Sequence, residues 1–188
     1  MKLSLRKASA LQNAIQDHIK TISVQTSVVI NEFQNSTAEL EKAQAELINN
    51  VTRREALTIV LYKLRALVGR ANVESGVSDL LTEAALIDKK LGYLKGLTDS
   101  KVSEAQEVLN GKLQKLREST GERRIYGYND TIESGVLTAD MMESYKVSVR
   151  NLKKEKQTIN DKVLELNVRT DIELDNKTIQ LLQLEQLI

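Results

Sequence analysis

Apolar side chains between Met142 and Leu166 recur at alternating steps of three and four: Met142, Tyr145, Val149, Leu152, Lys156, Ile159, Val163 and Leu166. That spacing is the seam of a coiled coil, in which each side chain inserts between four residues of a facing helix. Lys156 is the one polar position in the run. Most of the chain is written the same way.

A first helix is predicted over about residues 4–33, with Ala8, Leu11, Ile15, Ile19, Ile22, Val29 and Phe33 on its apolar line. A second is predicted over about 37–70, carrying two heptad rows: Leu40, Leu47, Arg54, Leu61, Val68, and Ala43, Asn50, Leu57, Leu64. It would be roughly 50 Å long at the α-helical rise. Ser36 followed by Glu39 has capping-box spacing and marks a break between the two helices. Phe33, Leu40 and Leu47 keep seven-residue spacing, so one continuous helix is the rival reading. Asn50 and Arg54 are polar seam positions, of the kind that set register.

Residues 72–78 read as a loop, with Ser78 or Asp79 capping a third helical region over about 79–117. Leu80, Ala84, Ile87, Leu91, Leu94, Val102, Ala105, Leu109, Leu113 and Leu116 mark its apolar face, with a turn at 96–100 that leaves its continuity open. The stretch 119–137 differs. It holds Gly121, Gly127 and Gly135, and Ile125-Tyr126-Gly127-Tyr128 favours an extended strand before the Asn129-Asp130 turn. A β-hairpin or ordered loop at the tip of the helices is expected there. Residues 138–188 return to the coiled-coil helix, capped by Thr138 and broken near 167–170, and finish in a leucine-rich tail. The fold class expected is all-α: an elongated antiparallel helical bundle or coiled coil with a small hairpin tip, forming one structural unit.

Composition supports that class. The 188 residues contain no Pro, no Trp, no Cys and a single Phe, so a core must come from Leu, Ile, Val and Ala. Lys and Arg number 27 against 26 Asp and Glu, a balance that gives no long-range pull toward nucleic acid or an anionic membrane. The lack of Cys excludes disulfides and thiolate metal sites. No apolar run is long enough for a transmembrane helix, and the basic start lacks the apolar core of a signal peptide.

Two stretches resemble the septicolysin-like family of small helical bacterial proteins. One is Arg70-Ala71-Asn72-Val73-Glu74-Ser75-Gly76 with Leu80-Leu81-Thr82-Glu83-Ala84 and Asp88. The other is Asp161-Lys162-Val163-Leu164-Glu165-Leu166-Asn167 with Thr170 and Leu174. The chain departs from that family in its long N-terminal helix rich in Ser, Thr and Gln, and in Val168 where the family carries Trp. The resemblance implies a mostly helical, oligomeric protein and brings no activity with it.

Candidate chemistry is sparse. His18, the only histidine, falls on the apolar line of the first helix and reads as a boundary residue. Asp171-Ile172-Glu173-Leu174-Asp175 has the alternating acids of a calcium loop. Asn176 replaces the required glycine and Leu182 the bidentate Glu, so the segment reads as an acidic first turn of a helix. Lys153-Lys154-Glu155-Lys156 and Arg53-Arg54 read as solvated faces. Arg123, Arg124, Tyr126 and Tyr128 form the best binding candidate, since paired guanidinium groups beside aromatic rings can hold a partner protein or stack bases. No catalytic set, no cofactor and no metal site are expected.

The function expected is a non-enzymatic structural or interaction protein that self-assembles through helix seams. It would be a homo-oligomer with a protein partner at the 119–137 tip, no membrane association and disfavoured nucleic-acid binding. A phage or bacterial assembly role, as a virion component, suits its style, and the location would be cytoplasmic or the virion. The alternative is a nucleic-acid-binding helical protein using the Arg/Tyr tip.

Overall fold

The computed structural model describes residues 1–118 and 131–188. In chain order these form β1 (Lys2–Ser4), α1 (Leu5–Thr21), α2 (Ser36–Glu74), α3 (Val77–Thr98), α4 (Gln106–Glu118), α5 (Ala139–Arg169), β2 (Asp171–Glu173) and α6 (Asn176–Leu184). The fold is all-α among the described residues, apart from one two-stranded antiparallel sheet. The chain divides into two compact units, one of residues 1–81 and 161–188, the other of residues 82–160.

In the first unit, α1 starts because the Ser4 hydroxyl accepts a hydrogen bond from the Lys7 amide at 3.4 Å, relieving one orphan donor of the first turn. Leu5, Ala8, Leu11 and Ile15 then bury one face. The matching face of α2 comes from the predicted heptad rows: Leu57, Val60, Leu61, Leu64 and Ala71 are all buried. Ile172, Leu174 and Leu182 from the C-terminal segment complete this core, with Val163 and Leu166 of α5 packed against it. Outside it, β1 pairs with β2 in the register Lys2↔Glu173, Leu3↔Ile172, Ser4↔Asp171. That sheet corrects the reading of residues 171–175 as a helical turn. The alternation puts Ile172 in the core and Asp171 and Glu173 outside, as a strand requires. Only Asp175 acts at a helix start.

The first helix is shorter than the predicted 4–33. It stops at Thr21, whose hydroxyl donates to the His18 carbonyl at 2.7 Å. The following Ile22-Ser23-Val24-Gln25-Thr26-Ser27-Val28-Val29-Ile30 is a run of β-branched and hydroxyl residues that loses helical propensity at nearly every position. Its periodic Val29 and Phe33 imitate a helix face but lie 94% and 90% exposed. The break before α2 is real, and its cap is Asn35, not Ser36: the Asn35 Oδ1 accepts from the Thr37 and Ala38 amides. At the other end of α2 the expected seven-residue loop shrinks to Ser75-Gly76, with Gly76 in the left-handed region at φ 79°.

In the second unit, Ala84, Ile87, Leu91 and Leu94 of α3 are buried with coiled-coil spacing, as are Met142 and Ile159 of α5. The helical region predicted over 79–117, with its continuity left open at the 96–100 turn, is two helices, α3 and α4. Thr98 Oγ1 and Ser100 Oγ donate to the carbonyls of Lys95 and Gly96 and end α3. Val102 then forms an isolated parallel bridge with Leu137. Residues 131–137, the described part of the expected hairpin, have that bridge as their strand-like pairing. Thr138 Oγ1 accepts from the Met141 amide at 3.2 Å where α5 begins.

Candidate functional site

Two polar residues are buried among the described residues, Thr178 and Glu185, and the Glu185 side chain is 3% exposed. Three elements build its surroundings. Asp175 caps α6, with its carboxylate accepting from the Thr178 amide at 2.7 Å and from the Thr178 hydroxyl at 3.2 Å. The backbone bond from Thr178 is the main cause of the lowered Asp175 pKa. At the far end of α6 the Leu187 amide donates to the Leu182 carbonyl and the Gln186 amide to the Gln183 carbonyl. This is a Schellman turn, with Gln186 in the left-handed position at φ 55°. The turn seats Leu187 against the core and aims Glu185 inward.

Arg53 of α2 meets Glu185 with two parallel bonds, Nε to Oε1 at 2.9 Å and Nη2 to Oε2 at 2.6 Å. His18 of α1 lies with Nε2 at 2.9 Å from Oε2. An ionised carboxylate only accepts, so Nε2 carries the proton in this contact. The Arg53 hydrogen bonds are the largest cause holding Glu185 far below the usual carboxylate range, at about 2; burial opposes them and His18 adds to them. Arg53 is pushed upward by the same bonds. A carboxylate so saturated has too little proton affinity for general acid or base work near neutrality. The cluster is a tie that fixes the tail to α1 and α2.

The second feature is the N-terminal half of α2. Toward Glu74 its seam is buried; toward Ser36 the row members Ala43, Leu47 and Asn50 are half-buried, and Leu40 and the neighbouring apolar residues are exposed. Leu40 is 48% exposed, Ile48 67% and Val51 45%. Leu40, Leu47 and Val51 share one narrow stripe at helical periodicity, with Ile48 flanking it. The extended segment after α1 covers only one edge, leaving a groove of about 260 Å³ whose walls include Ser23, Val28, Lys42, Ala43 and Leu47. Asn50 secures that edge by donating from Nδ2 to the Ser23 carbonyl at 2.9 Å. A polar seam residue thus holds a non-helical strand of chain where a facing helix was expected.

The sequence-predicted candidates Arg123, Arg124, Tyr126 and Tyr128 lie outside the described residues. Arg53 and Lys156, read from sequence as solvated, are engaged: Arg53 with Glu185, and Lys156 with Asp88 at 2.5 Å. His18 sits at the edge of the core, 28% exposed. Its partner is 167 positions away, beyond the reach of any local pattern. No helix among the described residues is long and apolar enough to cross a membrane. Comparison with known protein families, with curated proteins and with solved structures finds no match for this chain.

Proposed function

We propose that the chain is a non-enzymatic structural or interaction protein that assembles with a second copy of itself through the uncovered half of the α2 seam. The carrying observation is the stripe of Leu40, Leu47 and Val51 on α2: Leu40 and Val51 are exposed and Leu47 half-buried, and Leu40 and Leu47 lie on the heptad row that runs on to buried Leu61. An assembly component of a phage or bacterium, as in a virion, is the setting this reading fits. The septicolysin-like resemblance is compatible with it and supplies no activity.

The test is sedimentation velocity across a concentration series, on the wild-type chain and on a Leu40→Glu/Ile48→Glu variant. Both positions are exposed, so the helical circular-dichroism signal should not change. The wild type is expected to move from monomer to dimer with concentration while the variant stays monomeric. A wild type that remains monomeric throughout would refute the reading.

A further inference from the structure

In the second unit, α3 and α5 face one another with matched spacing. Asp88, Leu91, Gly92 and Lys95 lie on one wall, and Lys153, Lys156, Gln157 and Asn160 on the other, each set at i, i+3, i+4 and i+7. They line an open groove of about 490 Å³. Leu91 is buried and contributes apolar surface. Gly92 leaves its part of the α3 wall without a side chain, and a Cβ there would meet nothing within 4 Å. The polar lining is three ammonium groups, one carboxylate and two side-chain amides.

The charges are not balanced within the groove. Lys156 Nζ is fixed on Asp88 Oδ1, which neutralises one pair and holds both walls in place. The ammonium groups of Lys95 and Lys153 have no ion-pair or hydrogen-bond partner among the described residues. Next to the lining residues in sequence, Lys89, Lys90 and Lys154 add positive charge, against Glu155. Two unpaired lysines lining one groove bring like charges to the same surface, and an anion bound between them would remove that repulsion. Gln157 and Asn160 add amide N–H donors that can complete the shell of a multiply charged oxyanion.

We propose that this groove is a binding site for a phosphate group carrying two or more negative charges, held by Lys95 and Lys153 with the amides of Gln157 and Asn160. The proposal is independent of the assembly reading, which concerns the other unit. A pair of lysines interrupted by Asp88 matches a terminal phosphate or diphosphate on a small molecule better than a length of nucleic-acid backbone. A polymer would track a continuous basic strip, and Asp88 interrupts this one.

The test titrates the full chain with inorganic pyrophosphate at low salt. Calorimetry would be read together with the side-chain amide resonances of Gln157 and Asn160. Saturable binding that shifts those resonances is expected. Lys95→Gln/Lys153→Gln should weaken it by about tenfold or more. The control Lys89→Gln/Lys154→Gln removes equal charge outside the cavity and should change affinity by less than about twofold. Equal losses in the two variants would mean diffuse attraction and overturn the site. So would the absence of saturation, or binding of an oligothymidylate that both variants leave intact. Inorganic phosphate and a phosphate monoester, run in parallel, distinguish the free anion from an esterified source.

Discussion

Glu185 and Arg53 are joined through both carboxylate oxygens, across 132 positions of sequence, with the acid almost fully enclosed and the guanidinium partly open to water. Removing one partner of such a pair leaves the other charge without compensation, which costs more than the pair itself contributes. Arg53→Ala should therefore destabilise the chain by about 2–3 kcal/mol, less than a fully buried pair because water reaches the arginine side. Arg53→Lys should recover only part of this, since one ammonium cannot reproduce two parallel bonds. Urea unfolding of the two variants beside wild type measures both.

The same contact makes stability depend on acid. The Glu185 pKa falls from an ordinary 4.5 to about 2 in the folded chain. Its stabilisation is therefore fully present above the unfolded value and is lost as pH falls from about 4.5 toward 2. The lost contribution is about 3 kcal/mol by proton linkage. Glu185→Gln removes this titration. The wild type should lose urea resistance over that window more steeply than Glu185→Gln, and parallel curves would show that the carboxylate is not the titrating group.

Gln186 occupies the left-handed position of the Schellman turn at φ 55°, where glycine carries no steric penalty. Gln186→Gly should stabilise the chain by about 0.5–1 kcal/mol, and a β-branched residue there should destabilise it. Thermal unfolding followed by circular dichroism reads both changes.

How far the fold was legible in the sequence follows the range of each interaction. The seam of α2 from Leu57 to Ala71 and the α3 seam from Ala84 to Leu94 are periodic, and periodicity declares a buried face. Residues 22–34 kept the same spacing yet are not helical, because spacing does not register the propensity of a Ser, Thr and Val run. The short β1 and β2 strands were hidden for another reason. Three residues carry no usable alternation, and each strand exists only because the other lies beside it. The Glu185 cluster joins α1, α2 and the tail turn, so no window of sequence contains it. A lone histidine on an apolar face and an arginine near a seam were its only local traces.

Gly135 supplies the clearest local test in the second unit. A Cβ built there would clash with the Lys101 carbonyl oxygen and stand 2.7 Å from the Val102 carbonyl carbon, both backbone atoms that cannot rotate away. The close approach accompanies the Val102↔Leu137 bridge, the bond from the Ser103 amide to the Leu137 carbonyl at 2.7 Å, and that from the Glu104 amide to the Ser134 hydroxyl at 3.3 Å. Gly135→Ala must push residues 101–104 and 134–137 apart. The helices should persist, because none of these bonds belongs to a helix ladder. Hydrogen exchange should therefore show faster exchange at the Ser103 and Glu104 amides, with α3 and α5 protected as before. Unchanged protection at Ser103 would mean that the two strands do not meet there.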